Sequence, residues 1–257
     1  MAIRILSLHG MGTNARIFAA QTNHFRNLLP PDYEFVFVDG TTVCDPAPEV
    51  ADNFEGPYLG WYHSPSTVSV AAAHDAVRKV IDEKGPFDAV LGFSQGNTQG
   101  AAVAASMLLH ARIAGQTPPF QAAIFIGSPL PFSYSLDYGI DTRTYFGIAA
   151  SSPSRPGTLM RIPDYLVTDP AYLKGDPDAE EAFYQMFHAT VDPYRIGIPT
   201  AHVYGLRDQW RRHSMDLVQL CGHVTVVEHG EGHDVPAGYS EEIADAVETV
   251  MTGVGER

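Results

Sequence analysis

A chain of 257 residues has the length of one ordinary α/β domain or two small ones, and it can bury a sizeable core. Hydrophobic residues make up 45% and charged residues 18%, with 13 Phe and 12 Tyr, a composition that excludes a disordered chain or a disulfide-stapled miniprotein. Thirty acidic against 16 basic residues give a formal charge of −14, and Lys79, Lys84 and Lys174 are the only lysines, which argues against a nucleic-acid partner.

In chain order, residues 3–8 read as a first strand, followed by a loop over 9–14. Apolar Ile17, Phe18, Phe25, Leu28 and Leu29 then recur at helical spacing until Pro30-Pro31. Residues 33–38 form a second predicted strand. A helix begins at Ser66 or Thr67 and stops at Gly85-Pro86, and 87–91 is the third strand. The stretch 96–113 is an Ala- and Gly-rich helix whose small residues allow close approach to a sheet. Strands over 121–126, 200–204 and 223–227 alternate with helices over 210–220 and 240–251, and the tail from 252 frays. This alternation predicts an α/β fold: a mostly parallel central sheet of about six strands with helices on both faces.

Two connections break the rhythm, 39–66 and 128–199. The second carries Tyr134, Tyr138, Tyr145, Phe146, Tyr165 and Tyr172 and a predicted short helix over 178–187. It reads as a cap-like insertion around 128–198 within one domain spanning 1–257. Residues 1–8 lack the pattern of a secretion signal, and the longest apolar runs fall short of the ~20 residues a bilayer requires. The expectation is a cytoplasmic protein with no membrane partner. Cys44 and Cys221 cannot furnish a four-thiolate zinc site, and His229-Gly-Glu-Gly-His233 is not a helical metal pair, so no metal is expected.

The strongest chemical signal is Gly92-Phe93-Ser94-Gln95-Gly96, a G-x-S-x-G between an apolar strand and a small-residue helix. A sharp strand-to-helix turn exposes the serine oxygen, and glycines on either side remove clashing side chains. Ser94 is the expected nucleophile. A serine hydroxyl needs a base oriented by an acid, in the chain order Ser, acid, His. His233, in the loop before the last helix, is the expected base; His223 and His229 are its rivals. Asp208, just past the strand at 200–204, is the expected acid, with helix capping as its alternative role and with Asp216 and Asp234 less suitable. For the oxyanion hole, the expected backbone donors are the amides of Gln95 and of Met11 in the glycine-rich turn 9–14.

Phe54, Tyr58, Trp61 and Tyr62, with Tyr134 and Tyr138, read either as the lining of an apolar acyl pocket or as packing of the cap. Arg143, Arg155, Arg161, Arg207, Arg211 and Arg212 are candidates for a local basic patch.

His9-Gly10-Met11-Gly12-Thr13-Asn14, Gly92-Phe93-Ser94-Gln95-Gly96 and Gly232-His233-Asp234-Val235-Pro236 together resemble the fungal FSH serine hydrolases, a branch of the α/β-hydrolase fold, over nearly the whole chain. The resemblance implies a triad of Ser94, Asp208 and His233, an oxyanion element after the first strand, and no cofactor. Family members encoded beside polyketide synthases resemble thioesterases that release an acyl chain from a carrier protein, and others are carboxylesterases on short or medium acyl esters. The implied partners are therefore a small-molecule acyl ester or a carrier-bound acyl thioester, the latter with an acyl carrier protein domain.

Two other classes compete. Gly10-Met-Gly-Thr-Asn-Ala15 is also a G-x-G-x-x-A opening a helix, with Asp39 at the end of the second strand, the arrangement of a Rossmann-type dinucleotide-binding protein. The other is an α/β-hydrolase fold used as a catalytically silent binding module.

Overall fold

The structure, a computed structural model, describes residues 2–93, 100–142, 184–252 and 254. β1 (Ile3–Leu8) sends Ile5 into one layer and Leu6 and Leu8 into the opposite one, the period of two that buries both faces of a strand. The helix expected to run on to Pro30 divides into α1 (Ala15–Gln21) and α2 (Asn23–Arg26). At the break, the Thr22 hydroxyl donates back to the Phe18 carbonyl at 2.8 Å, a bond that bends helices. β2 (Tyr33–Val38) follows.

The first long connection contains β3 (Thr42–Val43), α3 (Val50–Asn53) and β4 (Leu59–Gly60), with β3 and β4 paired antiparallel. α4 (Thr67–Lys84) starts where the Ser66 hydroxyl accepts the Ser69 N–H at 3.1 Å, and ends at Gly85. β5 (Ala89–Phe93), α5 (Gly100–Ile113) and β6 (Ala122–Ile126) come next. β7 (Phe132–Ser133), β8 (Ile140–Asp141) and β9 (Gln185–Met186) form a separate antiparallel sheet. β9 corrects the helix predicted over 178–187: its last residues pair with β7 and β8, and 178–183 lie outside the described residues. β10 (Ile196–Gly205), α6 (Arg211–Gln219), β11 (Cys221–His229) and α7 (Ser240–Met251) complete the chain.

The main sheet has six strands in the order β11-β10-β6-β5-β1-β2, all paired parallel. Leu6, Val90, Ala123 and Phe125 pack beneath α4 and α5, while Ala89, Leu91, Ile124 and Val203 pack beneath α2 and α7. Two cores, one on each face, sandwich the sheet. Among the described residues no helix is long and apolar enough to cross a membrane.

Candidate active site

The strand order turns around between β1 and β5: from β1 the chain steps outward to β2, and from β5 it steps the other way to β6. Loops leaving the carboxyl ends of strands at such a switch point diverge and open a crevice. Leu8 pairs with Gly92, so the loop at 9–14 leaves the sheet beside the end of β5. α5 lies hard against this point. A Cβ on Gly92 would fall 2.4 Å from Ala101 Cα, and one on Gly100 would fall 2.2 Å from the Leu8 carbonyl oxygen. Ser94 and Gln95 lie outside the described residues, but Phe93, the residue before Ser94, ends β5 fully buried.

His233 stacks on that phenylalanine, ring centroids 5.5 Å apart at 25°. On its other side, Gly127, with φ +53°, makes room: a Cβ there would stand 2.9 Å from His233 Cε1. His233 Nδ1 donates to Asp208 Oδ2 at 2.8 Å, with the two side chains 10% and 1% exposed. The second carboxylate oxygen accepts the Trp210 N–H at 2.7 Å. With Nδ1 donating to a carboxylate, the lone pair of a neutral ring sits on Nε2, an atom that is buried and has no hydrogen-bond partner among the described residues.

Asp208 and His233 meet because β10 and β11 are neighbours, Gly205 opposite His229. The two following loops are stitched together: the Leu206 N–H donates to the His229 carbonyl at 2.7 Å, and Arg207 Nε donates to the Gly230 carbonyl at 2.6 Å. The rivals lie elsewhere. Asp216 faces His188 at 3.7 Å, Asp234 accepts the Val235 N–H at 2.7 Å, and His223 is exposed on β11. His229 is buried beside the Tyr239 ring, and burial lowers its pKa.

The loop after β1 leads into α1, whose first turn is closed by the protein itself. Asn14 Oδ1 accepts the Ile17 N–H at 2.9 Å, and Asp39 Oδ1 accepts the Ala15 N–H at 2.8 Å. This corrects the dinucleotide reading. Asp39 occupies the helix N-terminus where a pyrophosphate would sit, and Gly12 packs against the Ala47 backbone rather than facing open space. Met11 is half-buried in the turn.

The six aromatics separate into groups. Phe54 lines a cleft of about 350 Å³ with Gln21, His24, Glu231, Asp234 and Val235, next to the His233 loop. The Tyr58 hydroxyl donates to the Phe54 carbonyl at 2.7 Å. Trp61 donates from Nε1 to the His9 carbonyl at 3.0 Å, and Tyr62 is a core residue whose hydroxyl pKa is raised by burial. Tyr134 stacks on His110 at 3.7 Å and Tyr138 meets the same imidazole edge-on. His110 is ten residues past Gly100 on α5, about 15 Å along the helix, and its two tyrosines pack against the same core as Trp61 and Tyr62, whereas Phe54 and Tyr58 pack against the separate cluster of Ile17, Ala47 and Val50. Sequence alone does not mark the cleft residues Gln21 and His24, since only the docking of α1 and α2 on the loop 231–238 brings them near the site.

The chain matches the family described as Serine hydrolase (FSH1) over residues 1–244. It is 33% identical to Esterase FPY3 of Fusarium mangiferae, with 97% of both chains covered. It is 30% identical to Esterase alnB of Emericella nidulans, covering 91% of this chain and 90% of that one. Among solved structures, the type II thioesterase BorB from the borrelidin biosynthetic cluster shares the fold with a TM-score of 0.54, 13% identity, and coverage of 98% of this chain and 92% of that one. A parallel six-stranded sheet whose order turns around between β1 and β5, and a family match across almost the full length, lead to one assignment: this α/β-hydrolase chain belongs to the FSH1 serine hydrolase family.

Proposed function

We propose that the protein hydrolyses an ester or thioester of an apolar acyl chain through an acyl-enzyme, with Ser94 as nucleophile, His233 as base and Asp208 as the acid that orients it. One observation carries this reading: His233, hydrogen-bonded to Asp208, stacks on the residue that precedes Ser94 and keeps a buried, unpartnered Nε2 among the described residues. In the proposed cycle Ser94 Oγ bonds to the carbonyl carbon and its proton passes to His233 Nε2. The amides of Gln95 and Met11 stabilise the tetrahedral oxyanion. The C–O or C–S bond then breaks, the leaving group takes the proton from His233, and water repeats the sequence to free the acid.

An acyl chain of polyketide type, released from a carrier-protein domain, is the proposed substrate, and residues 128–198, of which 143–183 lie outside the described residues, are proposed as a cap-like insertion in one catalytic domain. Phe54 and Val235 supply an apolar wall beside the His233 loop. A short- or medium-chain carboxylesterase is the second reading, favoured by relatives named as esterases. A cytoplasmic location belongs to the same proposal.

The test is labelling by a fluorophosphonate probe, with acyl esters and carrier-bound acyl thioesters as competitors. Ser94→Ala is expected to abolish labelling, leave the fold intact and lower turnover by about 10⁴-fold or more. Wild-type turnover in that variant overturns the mechanism.

A further inference from the structure

The proposed oxyanion donor at Met11 belongs to the peptide Gly10–Met11, and the other end of that peptide is held by two side chains. His9 Nδ1 lies 2.7 Å from the Gly10 carbonyl oxygen, and the Thr13 hydroxyl donates to the same oxygen at 2.6 Å. The His9 tautomer follows from its partners: a carbonyl can only accept, so Nδ1 carries the hydrogen, and Nε2 accepts the Gly40 N–H at 2.8 Å. Both side chains are fully buried, and burial lowers the His9 pKa, in keeping with a neutral ring.

The flanking backbone is fixed as well. The His9 carbonyl accepts from Trp61 Nε1 at 3.0 Å and from the Gly100 N–H at 3.3 Å. The Gly12 N–H donates to the Leu59 carbonyl at 3.0 Å, and the Gly12 carbonyl accepts the Ala47 N–H at 3.1 Å.

A trans peptide is planar, with its C=O and N–H pointing in opposite directions, so a clamp on the carbonyl sets the direction of the N–H across the same bond. We propose that His9 and Thr13 are positioning residues: by gripping the Gly10 carbonyl they aim the Met11 N–H at the developing oxyanion. The inference rests on the hydrolase reading above. An aimed donor acts in the transition state more than in the ground state, so a loosened clamp lowers kcat and leaves KM in place.

The test compares Thr13→Val, which keeps the side-chain shape and removes the hydroxyl, with Thr13→Ser, which keeps the hydroxyl and removes the methyl. On a short p-nitrophenyl ester, Thr13→Val is expected to lower kcat about 10-fold, less than the 10²–10³ that follows outright loss of a donor, with KM unchanged. Its affinity for a trifluoromethyl ketone, which forms a tetrahedral adduct on the nucleophile, is expected to fall by the same factor, and Thr13→Ser to recover most of both. Wild-type kcat in Thr13→Val, a serine variant as slow as the valine one, or a lowered kcat with unchanged ketone affinity each overturns the clamp. Nitrogen-15 NMR of the wild-type protein at pH 7 is independent of any variant's folding: His9 is expected as the Nδ1–H tautomer, and an Nε2–H ring sinks the proposal. Fluorophosphonate labelling of wild-type Ser94 separates the two readings, because its failure removes the hydrolase assignment, whereas a negative clamp result with labelling intact removes only the clamp.

Discussion

Asp208 divides its two oxygens between two tasks, one on the Trp210 N–H at the start of α6 and one on His233 Nδ1. The capping role and the orienting role, alternatives on the sequence, are therefore compatible in space. They are separable by substitution. In Asp208→Asn the amide oxygen keeps the Trp210 bond while its NH₂ turns toward His233, so Nδ1 becomes an acceptor and the ring hydrogen moves to Nε2, where the base is needed. Turnover of a short p-nitrophenyl ester is expected to fall about 10⁴-fold with the thermal midpoint nearly unchanged. A loss of less than tenfold would mean that Asp208 serves the helix alone.

Close approach of α5 to the sheet sets the crevice at the level of the element. Gly100 touches the Leu8 carbonyl, and its own N–H donates to the His9 carbonyl, so any side chain there pushes the helix off β1. Gly100→Ala is expected to destabilise by about 1–3 kcal/mol through overpacking and to lower turnover with it. Gly197→Ala in β10 adds a Cβ that meets nothing within 4 Å and is expected to stay within about 0.5 kcal/mol. Urea midpoints of the two variants check this, and equal midpoints would refute a tight fit at Gly100. That fit was legible in the sequence as a run of small residues, just as β5 and β6 were legible as apolar runs between glycine and proline stops. β9 was not, because a two-residue strand is too short to show a period and is held by pairing with β7 and β8. Nor was the nearness of Asp208 to His233 more than an expectation from chain order, since it comes from the register of β10 with β11. The separation of Tyr134 and Tyr138 from Phe54 was likewise hidden: aromatic content marks a surface for burial without saying which helix covers it.

Across the whole molecule, histidines rather than the −14 charge govern the response to acid. His9, His74, His110, His202 and His229 are buried, and burial lowers the pKa of each, His110 to about 4 and His202 to about 3. Their hydrogen bonds suit neutral rings: His74 Nε2 lies 2.9 Å from a Ser106 hydroxyl that donates to the Phe132 carbonyl, and His202 Nε2 lies 3.0 Å from the Thr200 hydroxyl. In the unfolded chain each imidazole takes a proton near pH 6.5, whereas the native state resists until the lowered pKa. Between those limits the unfolded state binds more protons, so stability is present above pH 6.5 and drains away as pH falls. His110 and His202, held at about 4 and about 3, each contribute about 1 kcal/mol per pH unit once the unfolded ring is protonated. Relief of repulsion among exposed carboxylates acts in the opposite direction but is screened over roughly 8 Å at physiological salt. Urea unfolding at pH 7, 6 and 5 is therefore expected to show a steep fall in stability, and His202→Gln to flatten that slope by about 1 kcal/mol per unit below pH 6. A slope unchanged by His202→Gln would mean that this imidazole is already charged in the folded protein, against its burial between the Phe125 ring and Thr200.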